Sequence, residues 1–237
     1  MISKKLAIEL LNAGLETGAD YSEIFFEDSK QYGVVLENGK VNTSTSSIAC
    51  GVGVRLLKET RCVYGYTDDL SKKGLLSLVN TLAKSFNGKR TLTVNKLEMI
   101  RGKNRNPIVD SYLNHERDEK IALLKEGVDA INEMKDPRII RTIGSFAEHH
   151  REVAVFNSKG KWFKRDTEFG RIAFQFVAAD QNGFETSFTG PGTQTSINFF
   201  NFLASFLASF LALNKYIIWW KLFQLWKFLH IFHIMNA

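Results

Sequence analysis

Residues 21–45, YSEIFFEDSKQYGVVLENGKVNTST, decide the fold, and within them Asn38-Gly39 is the strongest local signal. A type I′ turn needs both central residues at positive φ, which Asn and Gly tolerate, so the dipeptide joins Tyr32–Glu37 to Lys40–Thr45 as an antiparallel hairpin. Upstream, Glu23–Glu27 reads as another strand. Downstream, Ile48–Leu57 and Arg61–Tyr66 make two more, around a polar turn at Lys58-Glu59-Thr60.

Helices flank this strand-rich block. Ile2, Leu6, Leu10 and Leu11 recur at helical spacing, and Gly18 sits where a left-handed C-cap would end the helix. After the strands, Thr67 to Ser71 supplies several N-cap oxygens, with Asp68 and Asp69 as the expected caps. Leu75, Val79, Leu82 and Phe86 then form a buried stripe. Gly51 and Gly53 lack the spacing of a nucleotide-binding loop and mark close backbone approach in the sheet.

The pattern then repeats. A third helix carries Ile121, Leu124, Val128 and Ile131 on one face, with Glu116 and Lys120 expected to pair on its surface. Strands resume at Arg138, and residues 148–165 (EHHREVAVFNSKGKWFKR) echo residues 27–44 (EDSKQYGVVLENGKVNTS) at an offset of 121 residues, with Lys159-Gly160-Lys161 in place of Asn38-Gly39-Lys40. The recurrence points to an internal duplication. Hairpins with flanking helices predict an α+β fold with antiparallel sheet. The expected division is 1–86 as an N-terminal α+β unit, 87–110 as a basic linker, 111–195 as a second helix-plus-strands unit, and 196–237 as an apolar tail.

That tail is a different kind of polypeptide. It has three lysines, no arginine or acid, and 12 of the chain's 29 aromatics, with Phe-Leu-Ala-Ser nearly repeated from Phe202 to Leu213. Ser196–Asn214 is uncharged, and Tyr216 to Trp220 resembles an interfacial aromatic belt, so a membrane-seeking helix is one reading and out-of-frame or replaced sequence the other. Removing the tail's lysines leaves 28 basic against 25 acidic residues in the body. So slight an excess does not predict nucleic-acid binding, and the basic run Lys89–Arg105 reads as solvated linker. Cys50 and Cys62 are too few for a disulfide framework or a multi-cysteine zinc cluster, and free thiols in a reducing cytoplasm are expected. Lys4, Lys5 and Glu9 interrupt any apolar run of a secretory signal.

Four blocks carry a resemblance. Gly18-Ala-Asp-Tyr-Ser-Glu-Ile-Phe-Phe-Glu27, Val35-Leu-Glu-Asn-Gly-Lys-Val41, Gly51-Val-Gly-Val-Arg55 and Tyr64-Gly-Tyr-Thr-Asp-Asp-Leu-Ser71 resemble, in order, the N-terminal domain of the TldD/PmbA family of zinc metallopeptidases, closer to the TldD branch. The likeness weakens through the linker, continues as strand pattern to about Thr189 and is expected to end by Phe199. It implies a cytoplasmic peptidase that cleaves unfolded or flexible peptides as a TldD–PmbA (TldE) heterodimer or a homodimer. It also implies zinc held by an HExxxH helix and a downstream cysteine in the C-terminal half, where the glutamate takes a proton from metal-bound water.

No such motif occurs in these residues. Lys120 stands five past His115, so His115-Glu116 reads as a helix N-terminus. His149 and His150, adjacent in a strand, point to opposite faces, one expected solvated and one partly packed. His230 and His233 have helical spacing but no third ligand nearby. No catalytic, cofactor-binding or metal-binding residue is assigned. The expectation is a TldD-like chain truncated before its metal motif and inactive alone. The alternatives are a module that docks on an intact family partner, or a protein attached to membrane through its tail.

Overall fold

The computed structural model describes residues 1–133, 135–181, 183–194 and 196–200. The elements are α1 (Lys4–Leu15), β1 (Tyr21–Glu37), β2 (Lys40–Lys58), β3 (Arg61–Thr67), α2 (Lys72–Ala83), β4 (Glu98–Met99), a 3-10 turn (Tyr112–Asn114), α3 (Arg117–Asn132), β5 (Ile139–Asn157), β6 (Lys161–Asp180), β7 (Gly183–Thr189) and β8 (Gly192–Thr193). The strands form one sheet in the order β3-β2-β1-β5-β6-β4, with β7 and β8 also on β6. The fold is α+β as expected, but the sheet is mixed, because β4 runs parallel to β6. Residues 87–110 are therefore more than solvated linker: Val94 is buried, and its backbone N–H and C=O bond the Asn12 side chain at 2.8 and 2.9 Å.

Local chemistry sets the boundaries. Ser3 Oγ accepts from Leu6 N to cap α1, and Gly18 turns the chain out at φ +90°. In the first hairpin Asn38 (φ 49°) and Gly39 (φ 76°) take the left-handed conformations their dipeptide predicts. The cap of α2 is Ser71, whose Oγ accepts from Gly74 N; Asp69, two residues earlier, instead accepts from Ser71 N, and the cap falls on neither Asp68 nor Asp69.

Strand length is a second correction. Glu23–Glu27 and Tyr32–Glu37 are parts of one strand, β1, and Lys40–Thr45 and Ile48–Leu57 are parts of β2. Polar residues 28–31 and Ser46-Ser47 lie between those expected strands. They instead occupy strand stretches that no helix covers, where polar side chains are the compatible choice.

The residues of the long strands that join the two core clusters carry even numbers: Ile24, Phe26, Val34 and Leu36 on β1, Val52, Val54 and Leu56 on β2, Phe146, Ala154 and Phe156 on β5, and Trp162, Ile172 and Phe174 on β6. Since strand side chains alternate, every helix packs on one sheet face. Two cores form there. α1 and α2 cover one through Leu10, Leu11, Leu15, Leu75 and Val79; α3 and the 3-10 turn cover the other through Leu124, Val128, Ile131 and Tyr112. Each such buried side chain contributes roughly 1.5–3 kcal/mol over its exposed state.

The expected duplication takes a definite form. β1 and β5 pair antiparallel without a break from Glu23↔Asn157 to Glu37↔Ile143. With the repeat offset, a pseudo-twofold axis passes between the Ser29↔Arg151 and Lys30↔His150 pairs and exchanges β1–β2–β3 with β5–β6–β7. Where α2 follows β3, residues Ser196–Phe200 make a helical turn after β7 and β8, with Phe200 N bonded to Ile197 O at 2.9 Å. Ile197 and Phe200 are buried in the second core, and the Phe200 ring packs on Phe146 and Tyr112. The apolar segment from Ser196 thus supplies core to the globular body in its first residues. The rest of the tail, with His230 and His233, lies outside the described residues.

Two stability predictions follow from these positions. A Cβ at Gly39 would meet no atom within 4 Å, so Gly39→Val should cost only the backbone strain of a β-branched residue at positive φ, about 1–2 kcal/mol, read as a lower urea midpoint with unchanged slope. Phe200→Ala should cost about 3–5 kcal/mol, because it empties the centre of an aromatic cluster, whereas Phe199→Ala, at a half-exposed ring, should cost far less.

Candidate functional site

Between the two cores the side chains that the strands present on the helix-bearing face are ionic. Asp28 and Lys30 of β1, Glu148, His150 and Glu152 of β5, and Lys164, Asp166 and Glu168 of β6 share this strip across the pseudo-twofold axis. Lys164 Nζ lies 2.8 Å from Glu152 and 3.6 Å from Asp166. The strip is the densest group of titratable side chains on the covered face and the natural candidate for chemistry.

Its inner end is held by Glu168, whose side chain is 1% exposed. Its carboxylate accepts from Ser111 Oγ at 2.5 Å, Tyr112 N at 2.9 Å and His150 Nδ1 at 2.8 Å. Ser111 Oγ in turn accepts from Leu113 N and caps the 3-10 turn. A serine, an acid and a histidine therefore meet, but in an order that fixes structure. The hydroxyl gives its proton to a carboxylate already bonded to the imidazole, and the histidine contacts the acid rather than the serine. A nucleophile needs the base beside it, so the arrangement locks the turn to β5 and β6.

Next to it Lys120 Nζ donates to Glu148 Oε1 at 2.8 Å, with both side chains less than a tenth exposed. Lys120 was expected on the surface with Glu116. Instead Glu116 is the N-cap residue of α3, and Lys120 turns inward, its ammonium 5.3 Å from the Tyr32 ring centre. Burial pushes the Glu148 carboxyl above the usual carboxylate range despite the ammonium, and its Oε2 has no hydrogen-bond partner. Desolvation outweighs attraction here, as is common for buried pairs.

His115 is bound at both ring nitrogens, Nδ1 to Glu119 at 2.8 Å and Nε2 to Asp110 at 2.9 Å. The Glu119 hydrogen bond, with Asp110, raises its pKa and favours the imidazolium. It is thus a clasp between α3 and the chain before it. His149 and His150 point to opposite faces as expected; both are half-buried, with His150 on Glu168 and His149 Nε2 buried without a partner.

A zinc site does not fit these residues. Both nitrogens of His115 and Nδ1 of His150 are committed to carboxylates, His149 faces the other way, and among the described residues no three His, Cys, Asp or Glu side chains converge as metal ligands. Cys50 is half-buried, Cys62 is exposed, and both are free. Gly51 and Gly53 have the close approaches read from sequence: a Cβ would lie 3.0 Å from Thr67 O at the first and 2.7 Å from the Tyr64 hydroxyl at the second. Among the described residues no helix is long and apolar enough to cross a membrane. Sequence reasoning missed the Lys120–Glu148 and Ser111–Glu168–His150 contacts. The available signal was Lys120 itself, one helical step before Leu124 on the apolar face of α3.

The opposite sheet face is open. Cross-strand pairs Glu23–Arg55, Glu27–Arg151 and Glu37–Arg141 lace it, and Tyr64, Tyr66, Phe163, Phe169 and Phe188 are exposed on it. Exposed pairs of this kind contribute about 0–1 kcal/mol each.

The buried ion pair makes a prediction. Lys120→Met should cost about 3–5 kcal/mol by stranding the Glu148 carboxylate, and adding Glu148→Leu should recover most of the loss, measured by urea unfolding in a double-mutant cycle.

Comparison with known proteins accounts for most of the chain. Residues 22–85 match the PmbA/TldA metallopeptidase domain 1, and residues 111–212 match the PmbA/TldA metallopeptidase central domain, past Phe199, where the resemblance was expected to end. A metalloprotease TldD homolog from Buchnera aphidicola subsp. Acyrthosiphon pisum is 22% identical over 186 residues, covering 76% of this chain and 37% of the relative. Among solved structures, a Bacteroides thetaiotaomicron protein described as a modulator of DNA gyrase aligns with TM-score 0.66 at 18% identity, covering 84% of this chain and 47% of that one. A Thermotoga maritima protein of the same description aligns at 0.65 and 13% identity, covering 81% and 43%. TldE from Thermococcus kodakarensis aligns at 0.57 and 15% identity, covering 86% and 46%. The chain therefore spans less than half the length of these relatives. With the family's first and central domains present in order over more than half of its residues, this protein belongs to the PmbA/TldD metallopeptidase family.

Proposed function

We propose that these 237 residues are the non-catalytic scaffold of a TldD-like, zinc-dependent peptidase of the cytoplasm that acts on unfolded or flexible peptides, and that alone they neither hold zinc nor cleave. One observation carries the reading: the chain matches the first two family domains, yet none of its histidines has an acid and a second histidine at HExxxH spacing. Peptide-bond hydrolysis by such a site needs a metal to polarise the carbonyl and to lower the pKa of bound water. The ionic strip offers no substitute, because Ser111 and His150 are both bound to Glu168 and neither is placed to activate the other. In this reading a PmbA (TldE)-type chain is the dimer partner, as in the family at large.

The test is metal analysis and peptidase assay on the same preparation. After dialysis the chain should carry far less than one zinc per molecule and should leave an unstructured, quenched-fluorescence peptide intact. Equimolar zinc together with chelator-sensitive cleavage would overturn the proposal.

A further inference from the structure

The two halves of the pseudo-twofold sheet end differently. β3 pairs with β2 only over Val52–Lys58, and among the described residues nothing pairs with the outer side of β2 from Lys40 to Gly51. Every residue from Lys40 to Ala49 is exposed. Here the sheet presents a long row of backbone donors and acceptors to solvent. Proteins ordinarily guard such an edge with charge, proline, bulges or shortness. Lys40 is the sole charge before Arg55, no proline occurs, and the register shift of this pair lies near the hairpin tip, leaving Thr43–Gly51 regular.

The matching edge in the other half is occupied. Lys161 of β6 stands where Lys40 stands in β2, and there β4, an extended piece of the inter-unit segment, lies along the edge through backbone bonds: Glu98 N to Gly160 O and Ile100 N to Trp162 O, each 2.8 Å. β8 covers the same edge at Gly170–Arg171. The fold thus contains its own example of irregular extended chain added to this edge.

We propose that the outer edge of β2, Lys40–Gly51, binds an extended peptide as an added strand, which rests on the peptidase-scaffold reading and gives that scaffold a substrate-holding role. The side chains here suit an occupant of varied sequence. Thr43, Thr45 and Ser47 on one face and Ser44 and Ser46 on the other are small, so main-chain bonds supply the affinity and no pocket selects the residue. A polar strand with two solvated faces also specifies register weakly, which lets a peptide slide. A second copy of this chain suits the edge less well. A stable dimer buries at least about 1,000 Å² around an apolar centre, and an edge whose exposed large apolar side chains are Val41 and Ile48 supplies little apolar area.

The experiment uses the full chain in chelator and a fluorescein-labelled twelve-residue peptide of alternating Thr and Val with terminal lysines, followed by anisotropy. Saturable binding is expected, and N-methylation of every residue, which removes the donors along both peptide edges and keeps the side chains, should weaken it at least tenfold. Thr45→Pro and Ser46→Pro place a proline at adjacent positions whose N–H groups point to opposite sides of β2. The variant whose lost N–H faced outward should keep the wild-type unfolding midpoint and bind the peptide at least fivefold more weakly. No binding, equal binding of the N-methylated peptide, or undiminished binding by a folded outward-facing proline variant would each overturn the proposal. So would a dimer that the outward-facing proline dissociates and the peptide does not compete with. If both prolines unfold the chain, the N-methylated peptide still decides. Because zinc is chelated and binding is read without cleavage, a failed peptidase reading and a failed edge proposal give different results.

Discussion

The antiparallel pairing of β1 with β5 is the constraint from which the rest of the molecule follows. Each half has a hairpin, a short third strand and helices on one side, and each half alone would leave one long strand with an open edge. Joining those strands from Glu23↔Asn157 to Glu37↔Ile143 removes both edges and brings both sets of helices to the same face. Register is decisive. A slip of one residue would turn Ile24, Phe26, Val34 and Leu36 from the cores to the open face, a loss of several buried apolar side chains.

The same pairing explains where charge is tolerated. Because the helices sit over the two ends of the long strands, the middle of the covered face receives no apolar partner, and the sequence fills it with Asp28, Lys30, His150, Glu152 and Lys164. At the margins of that strip, burial increases and pairing becomes obligatory. Glu168 is satisfied by three donors, whereas Glu148 has one cation and one unpartnered oxygen. Such a carboxyl sits above its usual titration range because removal from water costs more than one ammonium returns. The strip separates two cores that could otherwise merge.

How much of this was legible in sequence depended on whether the signal was local. Asn38-Gly39, Gly18 and the helical stripes act through neighbouring residues, and the structure reproduces them. The duplication was visible through the echo around Lys40 and Lys161, since both hairpins need turn chemistry at the same place. Strand continuity was hidden, because polar residues in an uncovered strand and polar residues in a loop look alike without knowledge of what lies above. Lys120 was hidden for the same reason: its inward turn depends on Glu148, which comes from a strand 28 residues later. The absence of an HExxxH helix, by contrast, is a property of the sequence alone, and the structure adds that His115, His149 and His150 do not gather to replace it.

The asymmetry between the repeats traces to one hairpin residue. In the first half Glu37 and Lys40 close a two-residue turn. In the second, Asn157 pairs with Lys161 across a three-residue loop in which Gly160 takes φ +72°. That conformation is one glycine adopts freely, and it leaves the Gly160 carbonyl free to accept from Glu98 N, while a Cβ at Gly160 would lie 3.2 Å from Lys96 O. The inter-unit segment therefore passes close over the second turn and continues along β6, and Lys161 and Lys96 hold Glu98 there, drawing its carboxyl down to about 2. Among the described residues no chain passes the first turn in this way. The longer loop thus closes one edge of a nearly symmetric sheet and leaves the other for something else to fill.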